Sequence, residues 1–246
     1  MLVFREGDLL DITIPYHLEH ADKIIILLDN YDPYTEDKVM HYAKLNKDKI
    51  IVKYSNYGHF DSDYPGEMNN RFKTLEGQIR EQLLSFVREE NSRKPIDILT
   101  WFDADELPMD NLVDKLQWFV DSRYKAIRSK YIDVVGDYKH FTIRKILPHC
   151  RVFKYSEDFT TKIMVSRAML YPIVKGHTIV KDYFTVHLPD YDIKRINKRS
   201  VYKKRTYAGL FVWESVRDVK TLTDDEIHSI LSRQPLCTME EYVKRL

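Results

Sequence analysis

Three short apolar segments, Ile24 to Leu28, Ile50 to Tyr54 and Ile96 to Phe102, constrain this chain most. Each is about the length of one buried strand, and stretches with helical spacing lie before and between them. Leu9, Leu10, Ile14 and Leu18 recur at helical intervals, so a helix is predicted over Asp8 to His20. Lys23 to Leu28 then reads as a strand, Asp32-Pro33 as a turn, Glu36 to Leu45 as a helix and Ile50 to Tyr54 as a second strand. Tyr57 to Pro65, rich in Gly, Asp, Ser and Tyr, reads as a loop. Asn70 to Glu90 follows as a long helix with Leu75, Ile79, Leu83, Phe86 and Val87 on one face, and Ile96 to Phe102 as a strand. Leu2-Val3-Phe4 adds a short first strand. Alternating strands and helices imply an α/β chain with a mostly parallel central sheet flanked by helices. Ligands bind such sheets outside the carboxyl ends of the strands, where Asp29 and Asp103 both fall.

The second half is less regular. A helix is expected over Asn111 to Asp121, with strands over Tyr124 to Val135, Phe141 to Phe153 and Lys181 to Val186. Ile193 to Tyr207 reads as a basic helix, and Asp224 to Leu231 and Met239 to Arg245 as helices of a tail. The expected division is a domain over residues 1–215 and a helical C-terminal extension over 216–246.

Composition narrows the function classes. Hydrophobic residues make up 43% of the 246, enough for a packed core. A net charge of +1 argues against a protein built to coat nucleic acid. Cys150 and Cys237 are too few for a disulfide framework, so a reducing, cytoplasmic setting is expected. The longest apolar run, Ile24 to Leu28, is far below the roughly 20 residues of a membrane span. The expectation is no transmembrane segment, with at most peripheral membrane contact.

Asp103-Ala104-Asp105-Glu106 closes the third apolar segment. On an extended chain residues i and i+2 face the same side, so Asp103 and Asp105 would converge, while the small Ala104 lets the backbone turn. Magnesium or manganese prefers such oxygen ligands and leaves positions for water and phosphate. A cation bridging carboxylate and diphosphate would neutralise the charge that develops as a glycosyl–phosphate bond breaks.

Several segments, taken in order, resemble a known family. They are Phe4-Arg5-Glu6-Gly7-Asp8, Tyr16-His17-Leu18, Asp22 to Ile26 with Asp29-Asn30, Gln78-Ile79-Arg80, and Ile98 to Leu107 with its Asp-x-Asp-Glu. Gly176-His177-Thr178, Val186 to Pro189 and the basic stretch to Arg205 follow. Together they resemble family 2-type glycosyltransferases of the GT-A fold, over roughly residues 2 to 205. The resemblance implies a Rossmann-like sheet and transfer from a nucleoside diphosphate sugar, a UDP-sugar being favoured. It implies that Asp29, with Asn30, meets the nucleotide base, and that Asp103 meets the ribose or a Mn2+ or Mg2+ ion. It makes Asp105 the main metal ligand and His187 a late metal or diphosphate ligand. Arg80 would sit near the diphosphate or brace the acidic pair. The chain departs from the family at Tyr31-Asp32-Pro33-Tyr34-Thr35, which lacks the usual glycine, and near Arg5, where the family has Asn.

An inverting transfer needs a carboxylate base. Glu157 and Asp158, about fifty residues beyond the acidic motif, are the candidates, with Asp182 as another. The basic run Lys194 to Arg205 would attract a diphosphate, an anionic acceptor or a membrane surface. The acceptor is a glycan, a lipid-linked glycan, a protein or a modified nucleic acid. Two alternatives stand beside this reading: a degenerate GT-A-like nucleotide- or sugar-binding scaffold without activity, and a haloacid dehalogenase-like phosphotransferase, which also carries Asp-x-Asp at a strand end.

Overall fold

The structure is a computed structural model, and it describes residues 1–57, 65–108, 112–135, 141–143, 149–159 and 176–190. The chain divides into two compact units. The first comprises residues 1–60, 73–130 and 147–185; the second comprises 61–72, 131–146 and 186–246. The proposed extension over 216–246 and the basic run Lys194 to Arg205 lie outside the described residues.

The first unit opens with strand β1 (Leu2–Val3), helix α1 (Leu10–His20), strand β2 (Ile24–Leu28), helix α2 (Pro33–Leu45) and strand β3 (Ile50–Tyr54). β1 and β3 both pair parallel with β2, Leu2 opposite Leu27 and Ile24 opposite Ile50. The chain is therefore α/β, with a parallel three-stranded sheet. Helix α2 begins three residues before the predicted start. Asp32 is its N-cap, accepting a hydrogen bond from the Thr35 N–H at 2.7 Å, and Pro33 fills the first turn, where a missing N–H costs nothing. The Asp-Pro pair read as a turn is thus a helix start.

Side chains alternate across this sheet and are buried on both faces. Leu2 and Leu27 pack with Ile79, Leu83, Leu84 and Val87 of the long helix α3 (Pro65–Arg93). Val3, Ile24, Ile26 and Leu28 pack on the other face with Leu10 and Ile14 of α1 and Val39 of α2. Each such fully buried side chain contributes about 1.5–3 kcal/mol.

The expectation of one mostly parallel sheet is corrected beyond α3. Strand β4 (Ile98–Thr100), which leads to the acidic motif, belongs to a second sheet and is shorter than Ile96 to Phe102. Next come strand β5 (Glu106–Pro108), helix α4 (Leu112–Asp121), strand β6 (Ala126–Val135), strand β7 (Phe141–Ile143), strand β8 (His149–Lys154) and strand β9 (Thr178–Asp190). Of the strand expected over Phe141 to Phe153, the described residues form β7 and β8. The six-stranded sheet has the order β4-β8-β6-β9-β5, with β7 on β6. β4 runs antiparallel to β8, Leu99 opposite Phe153, and β8 antiparallel to β6. An apolar run reports that a strand is buried and not which way its neighbour runs, so the sequence pattern did not carry this difference. One parallel bridge, Leu2 to Asp103, joins β1 to the chain just past β4.

Candidate functional site

The acidic motif lies against the C-terminal end of β1. Asp103 is bridged to Leu2, and the Ala104 N–H donates to the Leu2 carbonyl at 3.2 Å. On the other side of β1, the Asp29 N–H donates to the Val3 carbonyl at 2.9 Å. Asp29 and Asp103 therefore flank one short strand at the same end, about 10 Å apart at two inter-strand spacings. Asp29 and Asn30 are both buried, and Asn30 adopts φ 43°, a left-handed conformation that asparagine tolerates better than most residues. Arg5, from the loop after β1, donates through Nε to the Asn30 carbonyl at 3.2 Å. In the same loop Gly7 donates its N–H to Thr35 Oγ1 at 3.1 Å, and a Cβ at Gly7 would meet the Tyr34 ring at 2.7 Å. Any larger residue there would have to displace the exposed Tyr34 ring.

Asp103 and Asp105 do not lie on an extended strand; the backbone turns at Ala104, as its small side chain allows. The chain turns at Ala104–Asp105, and the Glu106 N–H donates to the Asp103 carbonyl at 3.1 Å, which closes a four-residue turn. The small Ala104 packs into the core shared with α1 and α2, so the turn is pinned from below. What holds the turn is Glu106. Its Oε2 accepts from the Asp103 N–H at 3.1 Å, a hydrogen bond that favours turning over extension.

Arginines from two other elements hold the turn. Arg80 of α3 makes a two-pronged pair with Asp103, Nη1 on Oδ1 and Nη2 on Oδ2, the latter at 2.8 Å. Arg151 of β8 donates through Nη2 to Glu106 Oε1 at 2.7 Å. Burial alone would raise the Asp103 pKa. The Arg80 charge and hydrogen bonds, with help from Arg151, outweigh burial and hold it below the ordinary carboxylate value. On the α1 side, His17 Nε2 lies 3.0 Å from the Glu106 carbonyl, which can only accept, so Nε2 carries the proton. Burial pushes the His17 pKa down to about 4, against the opposing effect of that hydrogen bond, so the ring is neutral near pH 7. Its ring also packs on Phe102, with centroids 5.4 Å apart. In the sequence His17 stands out only through the family resemblance, and the part Arg151 plays is not directly legible. The available signal was an arginine inside the apolar run Cys150-Arg151-Val152-Phe153.

Glu157 and Asp158 are elsewhere. The Tyr155 N–H donates to the Asp97 carbonyl at 3.0 Å, so the chain beyond β8 lies at the start of β4. Glu157 Oε1 accepts from Asn91 Nδ2 at 2.7 Å, near the C-terminal end of α3. From Asp97 to Asp103 the near-extended chain covers about 20 Å. From Arg80 to Asn91 the helix climbs about 16 Å. Glu157 and Asp158 are exposed and lie at the far end of β4, about 20 Å of chain from the acidic turn. His187 is half-buried on β9 in the second unit. Asp182 also lies on β9.

Among the described residues, no group of three or more His, Cys, Asp and Glu side chains is placed to hold a metal. A magnesium or manganese ion that completes its shell with phosphate oxygens and water needs only one or two protein carboxylates, for which Asp105 is the candidate, both oxygens of Asp103 being engaged by Arg80. Among the described residues, no helix is long and apolar enough to cross a membrane. No protein-family model matches the chain, and no curated protein matches it.

Proposed function

We propose that this chain is a glycosyltransferase of the GT-A type that moves a sugar from a nucleoside diphosphate donor, a UDP-sugar being favoured, to an acceptor. The observation that carries the reading is the Asp103–Glu106 turn at the C-terminal end of β1, with Asp29 and Asn30 on the other side of that strand. Ligands of open α/β sheets bind at this end.

Asp105 is the candidate ligand for Mn2+ or Mg2+, and a bound cation would supply charge neutralisation to the departing diphosphate. Asp103, tied to Arg80, is kept ionised beside it and adds negative potential. Asp29 and Asn30 are the candidates to meet the nucleotide base. A role for His187 as a late ligand rests on the family resemblance alone. A glycan, lipid-linked glycan, protein or modified nucleic acid is the acceptor class, and a cytoplasmic setting is the proposed location.

The test is release of nucleoside diphosphate from a panel of UDP-, GDP- and dTDP-sugars, with and without Mn2+. Metal-dependent release from one donor is expected, with Asp105→Ala lowering it at least about 100-fold, as removal of a direct electrostatic stabiliser does. No turnover, and no rise in melting temperature with any nucleotide, would leave the non-catalytic scaffold as the better reading.

A further inference from the structure

Glu106 is unusual in how fully it is used. Its N–H donates to the Asp103 carbonyl and its carbonyl accepts from His17 Nε2. Its Oε1 accepts from Arg151 and its Oε2 from the Asp103 N–H. Its side chain is 4% exposed and that of Arg151 10%, so both charges are withdrawn from water. A buried ion pair is a poor source of stability, because desolvation cancels most of the attraction and an apolar pair of similar volume does as well or better. What this pair supplies is direction. Arg151, fixed in the middle of β8, fixes Glu106 Oε1, and Oε2 is then aimed at the Asp103 N–H.

We infer that Glu106 is a positioning residue for the metal and diphosphate site, acting through the turn. Its carboxylate holds the shape of the Asp103–Glu106 turn, on which Asp105 stands. This rests on the glycosyltransferase reading. Groups around a ligand that fix its orientation commonly carry 10–100-fold in metal affinity.

The test compares two neutral replacements of the buried pair, Glu106→Gln/Arg151→Met and Glu106→Leu/Arg151→Met. Both remove the two charges together, which avoids stranding either one. They differ in one respect: the glutamine amide oxygen can still accept from the Asp103 N–H, and leucine cannot. The readout is Mn2+ affinity in the presence of UDP, from the free-ion signal in electron paramagnetic resonance, with melting temperature recorded alongside. At similar melting temperatures the Gln/Met protein is expected to bind within about threefold of wild type, and the Leu/Met protein at least about tenfold more weakly. Equal affinity in the two would overturn the positioning role while leaving the glycosyltransferase reading intact. A weak Gln/Met protein, no better than Leu/Met, would assign the effect to charge and overturn it too. Absence of any Mn2+ binding by the wild-type protein with UDP would remove the reading itself, and this inference with it.

Discussion

The two ends of β4 carry similar sequence and different chemistry. At one end Asp103, Asp105 and Glu106 stand together; at the other, Glu157 and Asp158 do. At the first, Arg80 and Arg151 reach in from α3 and β8, and His17 closes the turn from α1. At the second, the carboxylates face water, and Glu157 meets the neutral amide of Asn91. Burial separates them. In water a carboxylate needs no partner, whereas a buried one must be matched by a cation or hydrogen-bond donors. An acidic cluster that recruits arginines from separate elements is one the fold has organised.

This contrast can be broken by experiment. The largest effect is expected from Arg151→Met alone, which leaves the Glu106 charge buried without its cation. Urea denaturation should show a loss of about 3–5 kcal/mol. A loss below about 1 kcal/mol would mean that Glu106 is hydrated after all.

His17 gives the next effect, as a function of pH. Histidine titrates near 6.5 when unfolded and at about 4 here, so below pH 6.5 the unfolded state gains protons that the folded state refuses. Stability from this residue is complete above pH 6.5 and declines as pH falls from 6.5 to 4, by about 3 kcal/mol at most. His17→Gln keeps a donor for the Glu106 carbonyl and removes the titration. Its stability should vary less with pH over that window, and an unchanged slope would refute the buried neutral ring.

Arg80→Met should cost roughly 2 kcal/mol at pH 7, less than Arg151→Met because the Asp103 side chain is 26% exposed and water partly replaces the lost partner. The Asp103 pKa is depressed, so the pair stabilises fully above the ordinary aspartate value and loses its contribution as pH falls through the lower folded value. The difference between wild type and Arg80→Met should therefore shrink in acid, as melting curves at pH 7 and pH 3 would show.

The smallest effect is expected at the far end. Glu157→Gln should change stability by under about 0.5 kcal/mol and leave donor turnover unchanged. A large fall in turnover would mean that the two ends cooperate, which the roughly 20 Å between them argues against.

Much of the first unit was legible from residue order. β3 was anticipated at its observed bounds, and β2 to within a residue, because apolar period and strand length are local properties. The start of α2 was misplaced because Asp32-Pro33 serves either a turn or a helix cap, and only the hydrogen bond to Thr35 distinguishes them. The acidic motif and the turn that small Ala104 permits were legible in its residues, but what holds the turn was not. An extended Asp-x-Asp and a turned one have the same letters, and the Glu106 contact that decides between them needs Arg151, 45 residues later.

The sequence by itself determined that strands and helices alternate, that the apolar segments are buried, and that acidic residues end two of them. Those properties follow from side-chain hydrophobicity and backbone period, which neighbours in the chain are enough to set. Tertiary structure decided which carboxylates are matched and which face water. It brought Arg80, Arg151 and His17 from three separate elements onto one turn, and it carried Glu157 to the opposite end of β4 through the antiparallel β4–β8 register. Pairing between distant segments depends on packing across the whole core, and no local pattern of residues encodes it.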